Sequence, residues 1–482
     1  LHLSKRPKSS IKNQKMKQFL FLFVFALTTS FVQSQENLPT DYLTKEFHQG
    51  RREAFRNLMP ANSAAVVFSY PERVFSKDVN YNYHANPDMY YLTGYKEPDA
   101  VLLLFKEPQG TEKYTEVLFV RERNAQKETW TGRRLGIEGA KSKLGFTKVY
   151  NGKDFNTFEI DFKKFDKIIY DNIPTDVEAS KNIDNLYSLL QSFKTKAGIV
   201  EEDKASVDLF NNITNSLREI KTPEELVVMR KTVKLSCIAH NEVMKAVDPD
   251  MSENEADGIH AYVHRHYGAE GEGYPPIIGA GGNGCILHYN DNNATKIDNQ
   301  LLLMDVGSEY HGYSADVTRT IPANGKFTEE QKAIYQIVYE AQEEVFKLCK
   351  EGTPIQDLNK RSKEVVAAGL IKLGIITDPK DARIYYPHGC SHFLGLDVHD
   401  KGNYMGTLKE NMILTVEPGI YIPANSKCDK KWWNIGVRIE DDILMLKDSY
   451  ENLSADSPRK WQDIEALAKQ KSTFNDMKFP KI

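Results

Sequence analysis

Apolar and polar positions along this chain follow two rhythms in turn, and the change of rhythm divides it. Between about Asp41 and Asp203, short apolar runs ("AAVVFSY", "AVLLLF", "EVLFV", "KIIYD") alternate with stretches of helical spacing. Strands alternating with helices predict an α/β domain over residues 41–203. A different pattern opens at "IKTPEELVVMRKTVKLSCIAHNEVMKAV". There Thr222 is placed to cap a helix, Pro223 suits its first turn, and Glu225 completes a capping box ahead of a long amphipathic run. This predicts a second domain over residues 216–470. Two more helices, "KFTEEQKAIYQIVYEAQEEVFKLC" and "IQDLNKRSKEVVAAGLIKLG", are expected within it. So are strands in "LLLMDVG", "ADVTRTI", "MILTVEPGIYI" and "GVRIEDDILML".

Composition adds exclusions. At 482 residues, with 40% apolar and 27% charged residues, the chain reads as a globular enzyme of more than one domain. A net charge of −4 offers no electrostatic footprint for nucleic acid, and the one basic cluster, Lys427 to Lys431, reads as a solvated loop. Basic residues Lys5 to Lys17 precede the apolar run Phe19 to Phe31, the layout of a secretory signal peptide over residues 1–34, with Met16 as an alternative start. That run is short for a bilayer span, so the expectation is export to the periplasm or medium without a stable membrane anchor. The five cysteines lack CxxC spacing and suggest buried thiols. "GAGGNG", Gly279 to Gly284, matches a dinucleotide pattern but leads into "CILHYN", which reads as a strand where that motif needs a helix. A glycine-rich turn allowing close backbone approach is the better account.

The second half concentrates the chemistry. In "LLLMDVGSEYHGYSADVTRT", a turn centred on Tyr310-His311 places Asp305 directly opposite Asp316. Cross-strand partners lie roughly 4.5–5.5 Å apart at Cβ, so two carboxylates would share one poorly solvated face. Glu417 sits inside the apolar run "MILTVEPGIYI", and Arg438 and Glu440, two apart on a strand, point to one face. "PHGCSHFLGLDVHD" contributes His388, His392 and His399. Each alone has an ordinary explanation as a turn carboxylate or a structural histidine. Four acids in apolar strands with imidazole near them require cations. Oxygen donors with one imidazole suit Mn²⁺ best, with Co²⁺, Fe²⁺ or Zn²⁺ admissible. Two such ions about 3.5–4 Å apart would support hydrolysis of an amide or ester.

In order, "MDVG", "ADVTRT", "HGCSHFLGLDVHD", "TVEPGIY" and "VRIEDD" resemble the aminopeptidase P branch of the creatinase/prolidase/methionine aminopeptidase superfamily. "NPDMYYLTGYKEPDAVLLL" and "WTGRRLG" are similar to that family's N-terminal domain, and "GCILHYNDN" to its substrate-side histidine loop. The resemblance implies an α+β chain: a pita-bread metallopeptidase catalytic domain preceded by an α/β creatinase-type N-terminal domain. It further implies two divalent metal ions per subunit, Mn²⁺ foremost, on Asp305, Asp316, His392, Glu417 and Glu440. The implied reaction removes the first residue from peptides with proline second. Glu417 would be general base and acid, with His288 and His399 holding substrate and stabilising the tetrahedral intermediate. His388, Tyr421 and Arg438 match positions near substrate, with Arg438 alternatively a partner to a ligand carboxylate. Trp130 matches a tryptophan that reaches a neighbouring subunit's site, which implies a homo-oligomer; a core aromatic is the plain alternative. A prolidase, cleaving only Xaa-Pro dipeptides, and a metal-free binding relative are the competing expectations.

Overall fold

The strands of the main sheet of the first half assemble because that sheet buries apolar side chains on both faces. The computed structural model describes residues 40–477. A five-stranded sheet runs in the order Val149–Asn151, Tyr114–Val120, Val101–Gln109, Ser63–Phe68, Lys167–Tyr170. The central strand pairs antiparallel with both Ser63–Phe68 and Tyr114–Val120, and the two outermost pairings are parallel. Alternate residues Ala64, Val66, Leu103 and Phe119 join a core with Leu189 and Phe193 of helix Leu186–Ala197. Their neighbours Ala65, Val67, Leu102 and Leu118 face a second core with Phe55 of helix Lys45–Leu58 and Phe210 of helix Lys204–Arg218. Each such fully buried large side chain is worth about 1.5–3 kcal/mol. The second core does not stop at the domain expected to end near residue 203. It continues into Tyr310, Tyr313, Leu394, Leu396 and Ile413, and from Leu43 onward the chain forms one compact unit.

The second half opens as its sequence predicts. Helix Pro223–Ala246 starts with a closed capping box, Thr222 accepting from Glu225 N and Glu225 from Thr222 N. Such a cap is worth about 1 kcal/mol. Helices Glu329–Phe346 and Ile355–Lys372 also form where expected. The strands differ from expectation in one respect: each apolar run is interrupted. Leu301–Asp305 pairs antiparallel with Thr318–Pro322, and after an irregular stretch Ser308–Tyr310 pairs with Tyr313–Ser314. Ile413–Val416 pairs with Asp441–Met445, and beyond a second irregular stretch Gly419–Ile422 pairs with Ile435–Arg438.

Register is where the sequence reading needs correcting. The first hairpin turns on His311 and Gly312, with φ of 51° and 82°, so Tyr310 pairs with Tyr313. A two-residue turn with both φ positive matches strand twist, and Gly312 meets that demand only inside the turn. Asp305 therefore faces Thr318 rather than Asp316. Positions Thr318 and Asp316 are two apart, so Asp316 stays on the expected face, diagonal to Asp305. In the irregular stretch a Cβ on Gly307 would lie 1.7 Å from Ala315 O, so only glycine allows the strands to close there.

"CILHYN" is a second correction: residues 283–285 form a 3-10 turn and no strand follows. The glycines of "GAGGNG" do bring backbone together, since a Cβ on Gly279 would lie 2.7 Å from Gly284 N. All five cysteines are free. The expected signal peptide lies outside the described residues.

Candidate active site

Both interruptions fall where the two hairpins meet; Asp316, Glu417 and Glu440 lie in them, and Asp305 ends the strand that leads into the first. Constant register across the second gap puts Glu417 opposite Glu440. Pro418, between the paired segments, has no N–H for the ladder, and Glu417 N instead donates to Cys390 O at 2.9 Å. The hairpins are joined by Glu440 N donating to Thr318 O (3.1 Å) and Thr320 Oγ1 donating to Arg438 O (3.0 Å). The segment around Phe393 pairs with Leu414, which carries His392 alongside. His392 Nε2 then stands 3.3 Å from Asp316 Oδ2 and 3.5 Å from Glu417 Oε1.

These groups line a cavity of about 430 Å³ together with Tyr274, His288, Asn290, His388, His399 and Arg438. Asp305, Asp316 and Glu440 are buried, and Glu417 and His392 are partly exposed to the cavity. Burial, reinforced by neighbouring negative charge, raises the affinity of Asp316 and Glu440 for protons. Burial likewise pushes Glu417 up to about 7. Burial opposes protonation of His392, but Asp316 and Glu417 outweigh it and raise the imidazole to about 9. Tyr274 Oη sits 2.5 Å from Asp305 Oδ1 and 2.6 Å from Asp316 Oδ1. Its single proton can serve only one of them. The cluster is short of positive charge, and ligand atoms of Asp316, His392 and Glu440 lie within 4.8 Å of one another. This donor set fits divalent cations.

The remaining expected residues divide. His388 Nε2 meets Tyr421 Oη at 2.8 Å, and burial, then the nearby Arg438, pushes its imidazole down to about 4. His288 and His399 are exposed on the cavity wall, and the His399 ring stands edge-on to His392 with centroids 4.5 Å apart. Each of the three guanidinium nitrogens of Arg438 has a protein partner. Its Nη2 donates to Asp305 Oδ2 (2.5 Å), Nη1 to Tyr421 Oη (2.9 Å) and Nε to Thr318 Oγ1 (3.2 Å). That geometry favours partnership with a carboxylate over direct contact with substrate. Trp130 is not a core aromatic: it is 85% exposed on helix Ala125–Thr131 and outside the cavity of its own chain.

Sequence reasoning missed Tyr274, Thr318 and Asp442. Thr318 donates to Glu440 Oε2 at 2.6 Å, and Asp442 Oδ2 accepts from Asp316 N at 3.1 Å. Tyr274 lies in "GYPPIIG", which has no acid or imidazole to signal it. Thr318 could have been found from the turn, had Gly312 been placed inside it. Another missed group, the buried Glu253, accepts from Ala280 N, Asn283 Nδ2, Tyr289 Oη and Ala294 N at 2.7–2.9 Å. It fixes both ends of the loop that carries His288.

Residues 48–169 match the aminopeptidase P N-terminal domain, and residues 227–447 match metallopeptidase family M24. The chain is 36% identical to the Xaa-Pro aminopeptidase of Escherichia coli K12, over 88% of its own length and 98% of the relative's. The chain belongs to the aminopeptidase P family of M24 metallopeptidases. Human Xaa-Pro aminopeptidase 3 is 32% identical to it, over 85% of this chain and 82% of the relative. The crystal structure of aminopeptidase P from E. coli with the inhibitor Pro-Leu superposes at a TM-score of 0.79 with 35% identity, covering 89% of this chain and 98% of that one. A zinc-substituted aminopeptidase P from E. coli in complex with product gives the same TM-score at 34% identity, with the same coverage. The α+β fold, with an aminopeptidase P N-terminal domain ahead of an M24 catalytic domain, is thus common to this chain and its aminopeptidase P relatives.

Proposed function

We propose that this protein hydrolyses the N-terminal Xaa-Pro bond of peptides, releasing the first residue, with divalent metal as cofactor. The observation that carries this reading is the convergence of Asp305, Asp316, His392, Glu417 and Glu440 in one cavity walled by His288, His388 and His399. Cations bound there would polarise the scissile carbonyl and acidify a water. Glu417 takes a proton from the attacking water as the water oxygen adds to the carbonyl carbon. The same carboxyl then returns the proton to the proline nitrogen as the C–N bond breaks. His288 and His399 orient the peptide and stabilise negative charge on the carbonyl oxygen. His388 and Tyr421 adjoin the cavity, and Arg438 holds Asp305 in the position from which it would take a cation.

The test is hydrolysis by protein stripped with chelator and then given Mn²⁺, comparing an Xaa-Pro-Xaa tripeptide with an Xaa-Pro dipeptide. Metal-dependent release of the first residue from the tripeptide is expected. Cleavage of the dipeptide alone would make the protein a prolidase, and no hydrolysis with Mn²⁺, Co²⁺, Fe²⁺ or Zn²⁺ would overturn the reading.

We read the resident ions as two Mn²⁺ per subunit, because the donor set is mainly carboxylate oxygen; metal analysis of purified protein checks both identity and number. The exposed Trp130 supports a homo-oligomer, checked by light scattering in solution. Residues 1–34 support export, checked by sequencing the N-terminus of protein recovered outside the cytoplasm. Among the described residues no helix is long and apolar enough to cross a membrane.

A further inference from the structure

Among the described residues His399 makes no hydrogen bond, and its ring meets only that of His392. Its position is therefore set by its backbone, and the residues on both sides of it are held from the first half of the chain. Arg218, the last residue of helix Lys204–Arg218, donates through Nη2 to Asp397 Oδ2 at 2.7 Å and to Asp400 Oδ1. Its Nη1 donates to Asp88 Oδ1 at 2.9 Å, in helix Pro87–Thr93. Lys401 reaches back to the same two helices, donating to Asp88 Oδ2 (2.8 Å), Asn211 Oδ1 (2.9 Å) and Thr214 Oγ1 (3.1 Å). Lys221 closes the network on Asp400 Oδ2 at 2.9 Å.

Arg218, Lys221 and Asp400 are each 1% exposed at the side chain and Asp88 3%, so these charges are removed from water and depend on their protein partners. Breaking a buried pair leaves an uncompensated charge, which makes such a network stiff. Packing around it leaves no slack: a Cβ on Gly395 would lie 2.1 Å from Asp400 Oδ2.

We propose that Arg218 and Lys401 are positioning residues that fix the Asp397–Lys401 segment and thereby aim His399 into the catalytic cavity. The first half of the chain then acts in turnover through a rigid tie to a catalytic-half loop. The proposal rests on the reading of His399 as a substrate-contacting group. Displacing such a group by about 1 Å can cost 10²-fold in rate.

The test is a double-mutant cycle on the metal-loaded full-length enzyme with an Xaa-Pro-Xaa tripeptide. His399→Ala, Lys401→Met and Arg218→Lys are made singly and in pairs with His399→Ala, and kcat and KM are measured for each. Arg218→Lys keeps the charge but loses the fork; if it does not fold, Lys401→Met, at a site 21% exposed, carries the test. Lys401→Met is expected to lower kcat by about 10- to 100-fold in the native background. On the His399→Ala background it should change kcat by less than about twofold, since the residue it positions is gone. Equal losses in both backgrounds, or no loss in either, would overturn the positioning role. Full activity of His399→Ala would instead overturn the reading of His399 on which the proposal stands, while the Xaa-Pro activity of the native enzyme tests the function itself.

Discussion

The two halves of this molecule are built from similar apolar runs and use them in opposite ways. In the first half, "AVLLLF" extends as one strand whose alternate residues enter two cores, and its ladder with Ser63–Phe68 is continuous. In the second half, "LLLMDVG" and "MILTVEPGIYI" are interrupted, and acids occupy the interruptions. A continuous ladder has backbone groups paired and side chains packed, so it contributes stability and leaves no room for chemistry. An interrupted ladder gives up local stability where Glu417 and Asp316 must project into a shared cavity. The catalytic half thus concentrates its irregularity at two matched places, and its loop beside His399 is tied to two helices of the first half.

Substitution can break this contrast in either direction. The largest effect is expected at Glu417→Gln, which removes the group that moves the proton while preserving shape. Turnover of an Xaa-Pro-Xaa peptide should fall by about 10²–10⁴-fold, and the thermal midpoint should change little. A midpoint that falls in step with activity would mean that Glu417 is a structural residue. The converse change is Leu103→Ala at the centre of the first sheet, fully buried. Urea unfolding should show a loss of about 2–5 kcal/mol, while kcat of the folded fraction is unaltered.

Acid titration sharpens the comparison by finding where the halves behave alike. His48 in the first half is pushed down to about 4 and His260 in the second to about 3, each chiefly by burial. A histidine with a depressed folded pKa binds its proton more readily when unfolded. Stability therefore falls as pH drops below about 6.5 and continues to fall until the folded pKa is reached. Each group should cost about 2 kcal/mol by pH 5. Urea midpoints measured from pH 7 to pH 5 should fall accordingly, with the slope reduced in His48→Gln and in His260→Gln. An unchanged slope in either variant would mean that histidine is not the titrating group.

The smallest effect is expected at the hairpin turn. Gly312 has φ of 82°, and a Cβ there would lie 3.1 Å from the Tyr90 ring of the first half. Gly312→Ala should cost about 1 kcal/mol in unfolding free energy. Catalytic constants should be nearly unchanged, because the turn lies beyond the interruption that holds Asp316. A loss of activity comparable with that of Glu417→Gln would show that the turn sets the geometry of the carboxylates directly.

Local information in the chain sufficed for whatever depends on neighbours along it. Apolar runs marked the strands of both halves, "CILHYN" excepted, the Thr222–Glu225 box determined a helix start, and acids in apolar runs pointed to a metal centre because unpaired charge is costly to bury. Asp305, Asp316, Glu417 and Glu440 were legible as one cluster for that reason, while His392 was singled out from its neighbours only by the resemblance. What the tertiary structure decided depends on partners distant in sequence. Which residue faces Asp305 turned on whether Gly312 lies inside the turn, a difference of one position in its centre. Tyr274 and Thr318 reach the carboxylates by folding alone, since neither carries a charge whose burial would announce it. Arg438 became a partner of Asp305 once each of its three guanidinium nitrogens was seen to have a protein partner. The tie from Arg218 to Asp400 spans 182 positions and joins groups that look like ordinary surface charges in the sequence. Their burial, and with it their strength, arises only when two halves close over them.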